Sequence, residues 1–134
     1  MKEKQKRSLS LPPVPVIAVV DDDPAIRDAM DDLIMSFGYE CHLYASAAHF
    51  LEAQQQTDID CIIVDVKMPG LSGIELQSEL NRRGEHAPMI FVTSYQDERT
   101  RNAALNGGAL AFLGKPVNIV SLIGCLESVL ARPS

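Results

Sequence analysis

Asp65 follows the apolar run Cys61-Ile62-Ile63-Val64 and precedes Val66-Lys67-Met68-Pro69-Gly70, so it sits where a strand buried on both faces ends in a turn. The run Val16 to Val20 ends the same way, in Asp21-Asp22-Asp23. Two more side chains with chemistry to offer close later runs. Thr93 ends the run Met89 to Thr93, and Lys115 follows Leu110 to Leu113. Either acidic end alone has a bland reading, an acid bounding a strand before a turn. Brought to one rim, three carboxylates would repel one another and either hold a proton or attract a cation. An all-oxygen donor set with open positions suits Mg²⁺ completed by water. A hydroxyl and an ammonium beside such a cation are the equipment for binding a phosphoryl group.

The elements that must place these residues alternate strictly along the chain. After the first strand, Pro24 fits a first helical position. Ile26, Met30, Leu33, Ile34 and Phe37 then recur at helical spacing until Gly38, with Arg27, Asp28, Asp31 and Asp32 on the polar side. Residues 40 to 44 make a weaker second strand, and Ser46 can cap a helix that turns Phe50 and Leu51 inward. Ser72 and Glu75 form a capping box opening a helix to about Arg82. A fourth helix runs from Asp97 or Glu98 to Gly107-Gly108. The last, capped by Asn118, reaches about Leu130 with Ile119, Leu122, Leu126, Val129 and Leu130 as its buried stripe. Five βα units with short loops specify a doubly wound α/β fold with parallel strand order 2-1-3-4-5. That order sets the first and third strands roughly 4.8 Å apart, so Asp21 and Asp22 converge with Asp65.

Composition narrows the class. A chain of 134 residues, 46% hydrophobic and 22% charged, suits one globular domain, and no apolar run approaches the roughly 20 residues of a membrane span. A net charge of -6 argues against nucleic-acid binding by this chain. The basic cluster Lys2, Lys4, Lys6 and Arg7 falls in a proline-containing segment, residues 1–15, read as a flexible tail. The folded domain is expected over 16–131, with 132–134 a short C-terminal tail. Cys41, Cys61 and Cys125 lack metal-like spacing and fall in apolar segments, which suits reduced thiols and a cytoplasmic location. His42, His49 and His86 share no metal spacing and receive no role.

Val20-Asp21-Asp22-Asp23, Val64-Asp65-Val66-Lys67-Met68-Pro69-Gly70 with Ser72-Gly73, Val92-Thr93-Ser94, Gly108-Ala109 and Lys115-Pro116 together resemble the receiver domain of two-component response regulators. The resemblance covers about Val16 to Leu130 and looks closest to regulators of the nitrogen-fixation and nodulation type. It implies a flavodoxin-like (βα)5 fold and a phosphoacceptor, Asp65, that takes a phosphoryl group from a sensor histidine kinase. Mg²⁺ would be bound by Asp22, Asp65 and the Lys67 backbone carbonyl, with Asp21 acting through water. Thr93 and Lys115 would each bond a phosphoryl oxygen, and Lys115-Pro116 would be cis. Three aspartates and one lysine leave -2, which one Mg²⁺ cancels. Phe112 corresponds to the family's switch aromatic, turning inward when Thr93 moves.

Further partners follow as expectations: an output domain or downstream protein, and a second copy meeting the face of the fourth helix, fifth strand and fifth helix. On the last helix that face carries Val120, Ser121, Gly124 and Ser128, with Glu127 its only charge. Tyr95, two residues past Thr93, is expected to restrict the water that would hydrolyse the phosphorylated form. Val117 stands where an aromatic is commoner, and Gly107-Gly108 replaces the usual Ala-Gly, which would loosen the end of the fourth helix. An aspartyl phosphohydrolase would need a second acid where Lys67 stands, and a flavin module a hydroxyl-rich first loop, which here is acidic. A receiver signalling without phosphate is the remaining alternative; its mark, a missing site residue, is not seen.

Overall fold

The computed structural model describes residues 14–53, 58–85 and 87–130. The expected tail through residue 13, His86 and the 131–134 terminus lie outside the described residues. Elements alternate as β1 Val16–Val20, α1 Pro24–Ser36, β2 Glu40–Tyr44, α2 Ala47–Ala53, β3 Cys61–Val64, α3 Gly73–Arg82, β4 Met89–Thr93, α4 Glu98–Asn106, β5 Ala111–Gly114 and α5 Ile119–Leu130. All five strands are parallel in the order β2-β1-β3-β4-β5.

Alternating side chains along each strand divide the core in two. Ala18, Val20, Ile62, Val64 and Phe91 face α2, α3 and α4, where Phe50, Leu76 and Leu80 meet them. Ile17, Val19, Cys61, Ile63, Ile90 and Val92 point the other way, against Met30 and Ile34 of α1 and Leu122 and Leu126 of α5. Both faces of β1, β3 and β4 are therefore covered, which is why these strands read as unbroken apolar runs. The helix ends follow their local signals. Asp23 caps α1 through the Ala25 amide, Ser72 and Glu75 close a reciprocal capping box on α3, and Asn118 Oδ1 accepts from the Ser121 amide at 2.9 Å.

Three expectations need correction. β5 runs from Ala111 rather than Leu110, because Leu110 is exposed and contributes only its amide, bonded to the Met89 carbonyl at 2.8 Å. Ile119 is 51% exposed, and Ile123 takes the place assigned to it in the buried stripe. Ile119 is the first residue of α5 and lines an open apolar groove with Ile26, Ala29 and Val117. The end of α4, finally, is tied down instead of loosened. Gln77 Nε2 of α3 donates to the Ala104 carbonyl at 2.9 Å, and Asn81 Nδ2 donates to the Gly107 carbonyl at 3.0 Å. These two amides, one turn apart, join the Ala109 amide, which also bonds the Ala104 carbonyl at 3.0 Å, in satisfying the carbonyls of the last turn of the helix and its cap.

The glycine is what admits the buried amide. A Cβ at position 107 would stand 2.5 Å from Gln77 Oε1 and 2.7 Å from its Cδ. Gly107 has φ -78, so alanine meets no backbone strain there. Gly107→Ala should therefore destabilise the protein by about 1–2 kcal/mol, by displacing a buried amide from its bond. In a Gln77→Ala background the sign should reverse, to a gain of about 0.5 kcal/mol from reduced chain entropy. Denaturant titration of the four proteins checks this; equal costs in both backgrounds would disprove the coupling.

All three cysteines are free thiols. Burial pushes the Cys61 thiol up to about 12, and burial followed by the charge of Asp31 and a hydrogen bond to it does the same for Cys41.

Candidate phosphoacceptor site

Register builds the site. Val20 pairs with Val64 across β1 and β3, so Asp21 and Asp65 are the next residues on adjacent strands, and the Asp65 amide donates to the Val20 carbonyl at 3.2 Å. Thr93 pairs with Gly114 across β4 and β5, which delivers Lys115 one step beyond; its amide donates to the Thr93 carbonyl at 3.0 Å. Asp21, Asp65 and Thr93 are the buried polar residues of this rim, 4%, 8% and 1% exposed.

One ammonium joins the two acids. Lys115 Nζ lies 2.8 Å from Asp21 Oδ2 and 2.8 Å from Asp65 Oδ2. Burial alone would pull Lys115 down, but its hydrogen bonds to Asp21 and Asp65, and their charges, outweigh that and hold it above its ordinary value. Asp21 Oδ1 is spent on the Asp23 amide at 3.0 Å. Asp65 Oδ1 has only the Lys67 amide, at a long 3.4 Å. Thr93 Oγ1 accepts from the Tyr95 amide at 3.0 Å. Lys67 sends its side chain over the Tyr95 ring, with Nζ 4.0 Å from the centroid, so these two residues flank the rim together. Phe112 is half-buried at the margin of the core, its ring 6.0 Å from that of Phe91. The Lys115-Pro116 peptide is cis.

The structure thus gathers Asp21, Asp65 and Lys115 into one bonded group, with Thr93 on the same rim. Asp22 is exposed beside them and outside that group. Among the described residues no three His, Cys, Asp or Glu side chains form a ready-made metal cluster. The donor set nonetheless fits a hard cation: Asp65 Oδ1 is barely engaged, Asp22 faces solvent, and both are oxygen donors that water can complete.

Two residues that brace the backbone of the site were given no such part from sequence, where Arg27 stood only on a polar helix side and Gly73 only within a motif. Arg27 Nη1 donates to the Asp21 carbonyl at 2.8 Å. Gly73 packs its Cα against the Asp65 backbone: an added Cβ would stand 3.0 Å from the Asp65 carbonyl carbon, closer still to the oxygen, and 3.1 Å from the Phe91 ring. A glycine directly after an N-cap serine, where no positive φ is required, is the sequence signal of such a close approach.

A family model for the response regulator receiver domain matches residues 17–127. The chain belongs to the response regulator receiver domain family. It is similar to the transcriptional regulatory protein FixJ of Azorhizobium caulinodans, 40% identical over 116 residues that cover 87% of this chain and 55% of the relative. Nodulation protein W of Bradyrhizobium diazoefficiens is 34% identical over 117 residues, 87% of this chain and 52% of its own. This receiver spans about half the length of the curated relatives it matches. Among solved structures, response regulator StyR superposes with a TM-score of 0.80 at 34% identity, covering 89% of this chain and 60% of that one. The chemotaxis protein CheY4 of Vibrio cholerae gives 0.81 at 27%, covering 88% of this chain and 100% of its own. The receiver is thus a module of two-component signalling with the flavodoxin-like fold, related to transcriptional regulators. None of its described helices is long and apolar enough to cross a membrane.

Proposed function

We propose that this receiver accepts a phosphoryl group on Asp65 from a phosphohistidine of a sensor histidine kinase, in the cytoplasm, and that the acyl phosphate switches a partner-binding or dimerising face. The observation that supports this best is the sharing of Lys115 Nζ between two buried carboxylates, Asp21 and Asp65, at 2.8 Å each. An ammonium so placed can leave Asp65 for an incoming phosphoryl oxygen without leaving the site. Asp65 Oδ2, released as Lys115 turns to the phosphoryl oxygen, is then the oxygen that attacks, which leaves Oδ1, with only a long contact from the Lys67 amide, for the cation. The bond from Oδ2 to phosphorus forms as the P–N bond to the donor imidazole breaks, and the imidazole leaves with the bond's electron pair.

Mg²⁺, when bound, supplies the positive charge that lets a dianionic donor approach three aspartates. Asp22, Asp65 and the Lys67 carbonyl would hold it, with Asp21 reaching it through water. Thr93 gives its hydroxyl to a second phosphoryl oxygen and moves toward it, and Phe112 fills the space it leaves. The face of α4, β5 and α5 carries that change outward, to a second copy, an output domain or a downstream protein. An apolar cavity of about 300 Å³ beside Lys115, lined in part by Ile26, Ala29, Val117 and Ile119, offers the donor protein a seat next to the nucleophile.

Incubation of the purified chain with acetyl phosphate and Mg²⁺, followed by intact-mass measurement, tests the reading. Wild type should gain one phosphoryl group and Asp65→Asn none. An unmodified wild type would favour signalling without phosphate, and a modified Asp65→Asn would move the nucleophile elsewhere. Tyr95 governs how long the adduct lasts: with Lys67 against its ring, it narrows the approach of in-line water. Tyr95→Ala should speed loss of the adduct about tenfold, equivalent to about 1.4 kcal/mol of barrier, and an unchanged decay would remove it from that role.

A further inference from the structure

Asp21 is fixed at every polar atom, and each partner comes from a different part of the fold. Its amide donates to the Tyr44 carbonyl of β2 at 3.1 Å. Its Oδ1 accepts from the Asp23 amide of the following turn, and its Oδ2 from Lys115. Its carbonyl accepts from Arg27 of α1, and this is the bond neither the motif nor the strand register supplies.

A carbonyl and the next amide nitrogen belong to one rigid plane. The guanidinium on the Asp21 carbonyl therefore fixes the peptide from which Asp22 departs, and with it the place from which the Asp22 side chain starts. Asp22 itself is exposed. Its backbone must be held from outside if the carboxylate is to stay near the rim. Charge points the same way. Arg27 brings a cation to the Asp21 carbonyl, a main-chain oxygen, and so takes up no carboxylate oxygen itself, whereas Lys115 occupies one oxygen of Asp21 and one of Asp65. Arg27 thus eases the repulsion among the acids without competing for the atoms a metal needs.

We infer that Arg27 is a positioning residue for cation binding: through the Asp21 peptide it presets Asp22 as a metal ligand. The inference rests on the Mg²⁺ reading of the site given above. Partners one step removed from a metal are commonly worth 10–100-fold in its affinity.

The test uses the full chain, ¹⁵N-labelled, titrated with MgCl₂ while the Asp22, Asp23 and Asp65 amide signals are followed, for wild type, Arg27→Met and Arg27→Lys. Methionine keeps the apolar stem and removes the donor; lysine keeps a donor. Arg27→Met should weaken Mg²⁺ binding about tenfold, and Arg27→Lys should recover most of that. At saturating Mg²⁺ the rate of phosphorylation by acetyl phosphate should lie within about threefold of wild type, a split between affinity and rate that a damaged fold would not give. If Arg27→Met gives a poorly dispersed spectrum, Arg27→Leu, which also lacks a donor, replaces it, with the same expectation. Unchanged affinity in the donor-free variant, or a rate deficit that saturating Mg²⁺ does not remove, overturns the inference. A wild type whose amides ignore Mg²⁺ overturns the metal reading itself, and the role of Arg27 falls with it.

Discussion

Gly73→Ala should cost this receiver both stability and phosphorylation, by about 3 kcal/mol and by about two orders of magnitude in rate. The reason is where the new methyl would go. Its nearest neighbours are the Asp65 carbonyl oxygen and carbon, which are backbone, and Phe91, which is fully buried. Backbone cannot swing aside as a side chain can, and the Gly73 amide is itself bonded to the Val66 carbonyl at 2.8 Å. Either α3 lifts off its capping box, or the peptide after Asp65 moves. The second course misplaces the nucleophile relative to Lys115, and a shift of about 1 Å is enough to cost the stated rate. Denaturant unfolding and the acetyl phosphate time course measure the two effects. A variant with wild-type kinetics would show that the strand end tolerates the displacement.

Lys115→Met should be the other severe change. Asp21 and Asp65 have side chains only 6% and 10% exposed, and the Lys115 side chain they share is 17% exposed. Removing it leaves two buried carboxylates facing one another without their cation. Breaking such a pair costs about 3–5 kcal/mol; allowing for the water that reaches Lys115, about 2–4 kcal/mol is expected at neutral pH. Added Mg²⁺ should restore part of this, because a cation that binds only the folded state stabilises it, and should raise the melting temperature of the variant more than that of wild type. The pH dependence has a definite sign. Lys115 is raised in the folded state, so its contribution is complete below its unfolded value of 10.5 and is lost as pH rises through the higher folded one. Wild-type stability should fall above about pH 10.5, and Lys115→Met should lack that part of the decline. Equal stability of the two proteins at pH 7 would mean that the pair contributes nothing net.

A phosphorylated Asp65 would place new charge beside Thr93 and Lys115 while leaving the sheet below it unchanged. The rim rests on β1, β3 and β4, whose side chains are almost all fully buried, so the strands are a fixed platform. α4 is attached differently. It presents one buried residue, Ala104, to the core and is held to α3 by Gln77 and Asn81. On the proposed switch, in which Thr93 moves toward the phosphoryl group, an element with so small an apolar anchor is freer to shift than the strands, within what its two amide bonds to α3 allow.

The sequence alone determined the alternation of strands and helices, the helix caps and the acids at the strand ends. These follow from short-range rules. A strand covered on both faces must be an unbroken apolar run, an N-cap needs its oxygen within three residues, and a turn needs its acids and glycines beside it. The tertiary structure decided which oxygens Lys115 would hold, across 94 residues to Asp21 and 50 to Asp65. It also decided that Arg27 would reach a strand-end carbonyl, that Gly73 would lie against the Asp65 backbone, and that Gly107 would leave room for Gln77. Ile119 left the buried stripe for a related reason: helical period assigns a face, while what packs against each turn decides whether that face is covered, and beside Ile119 the groove toward Ile26 and Ala29 stays open. Such contacts join residues distant in sequence, at separations set to tenths of an ångström by close packing, and no local pattern of residue types carries that information.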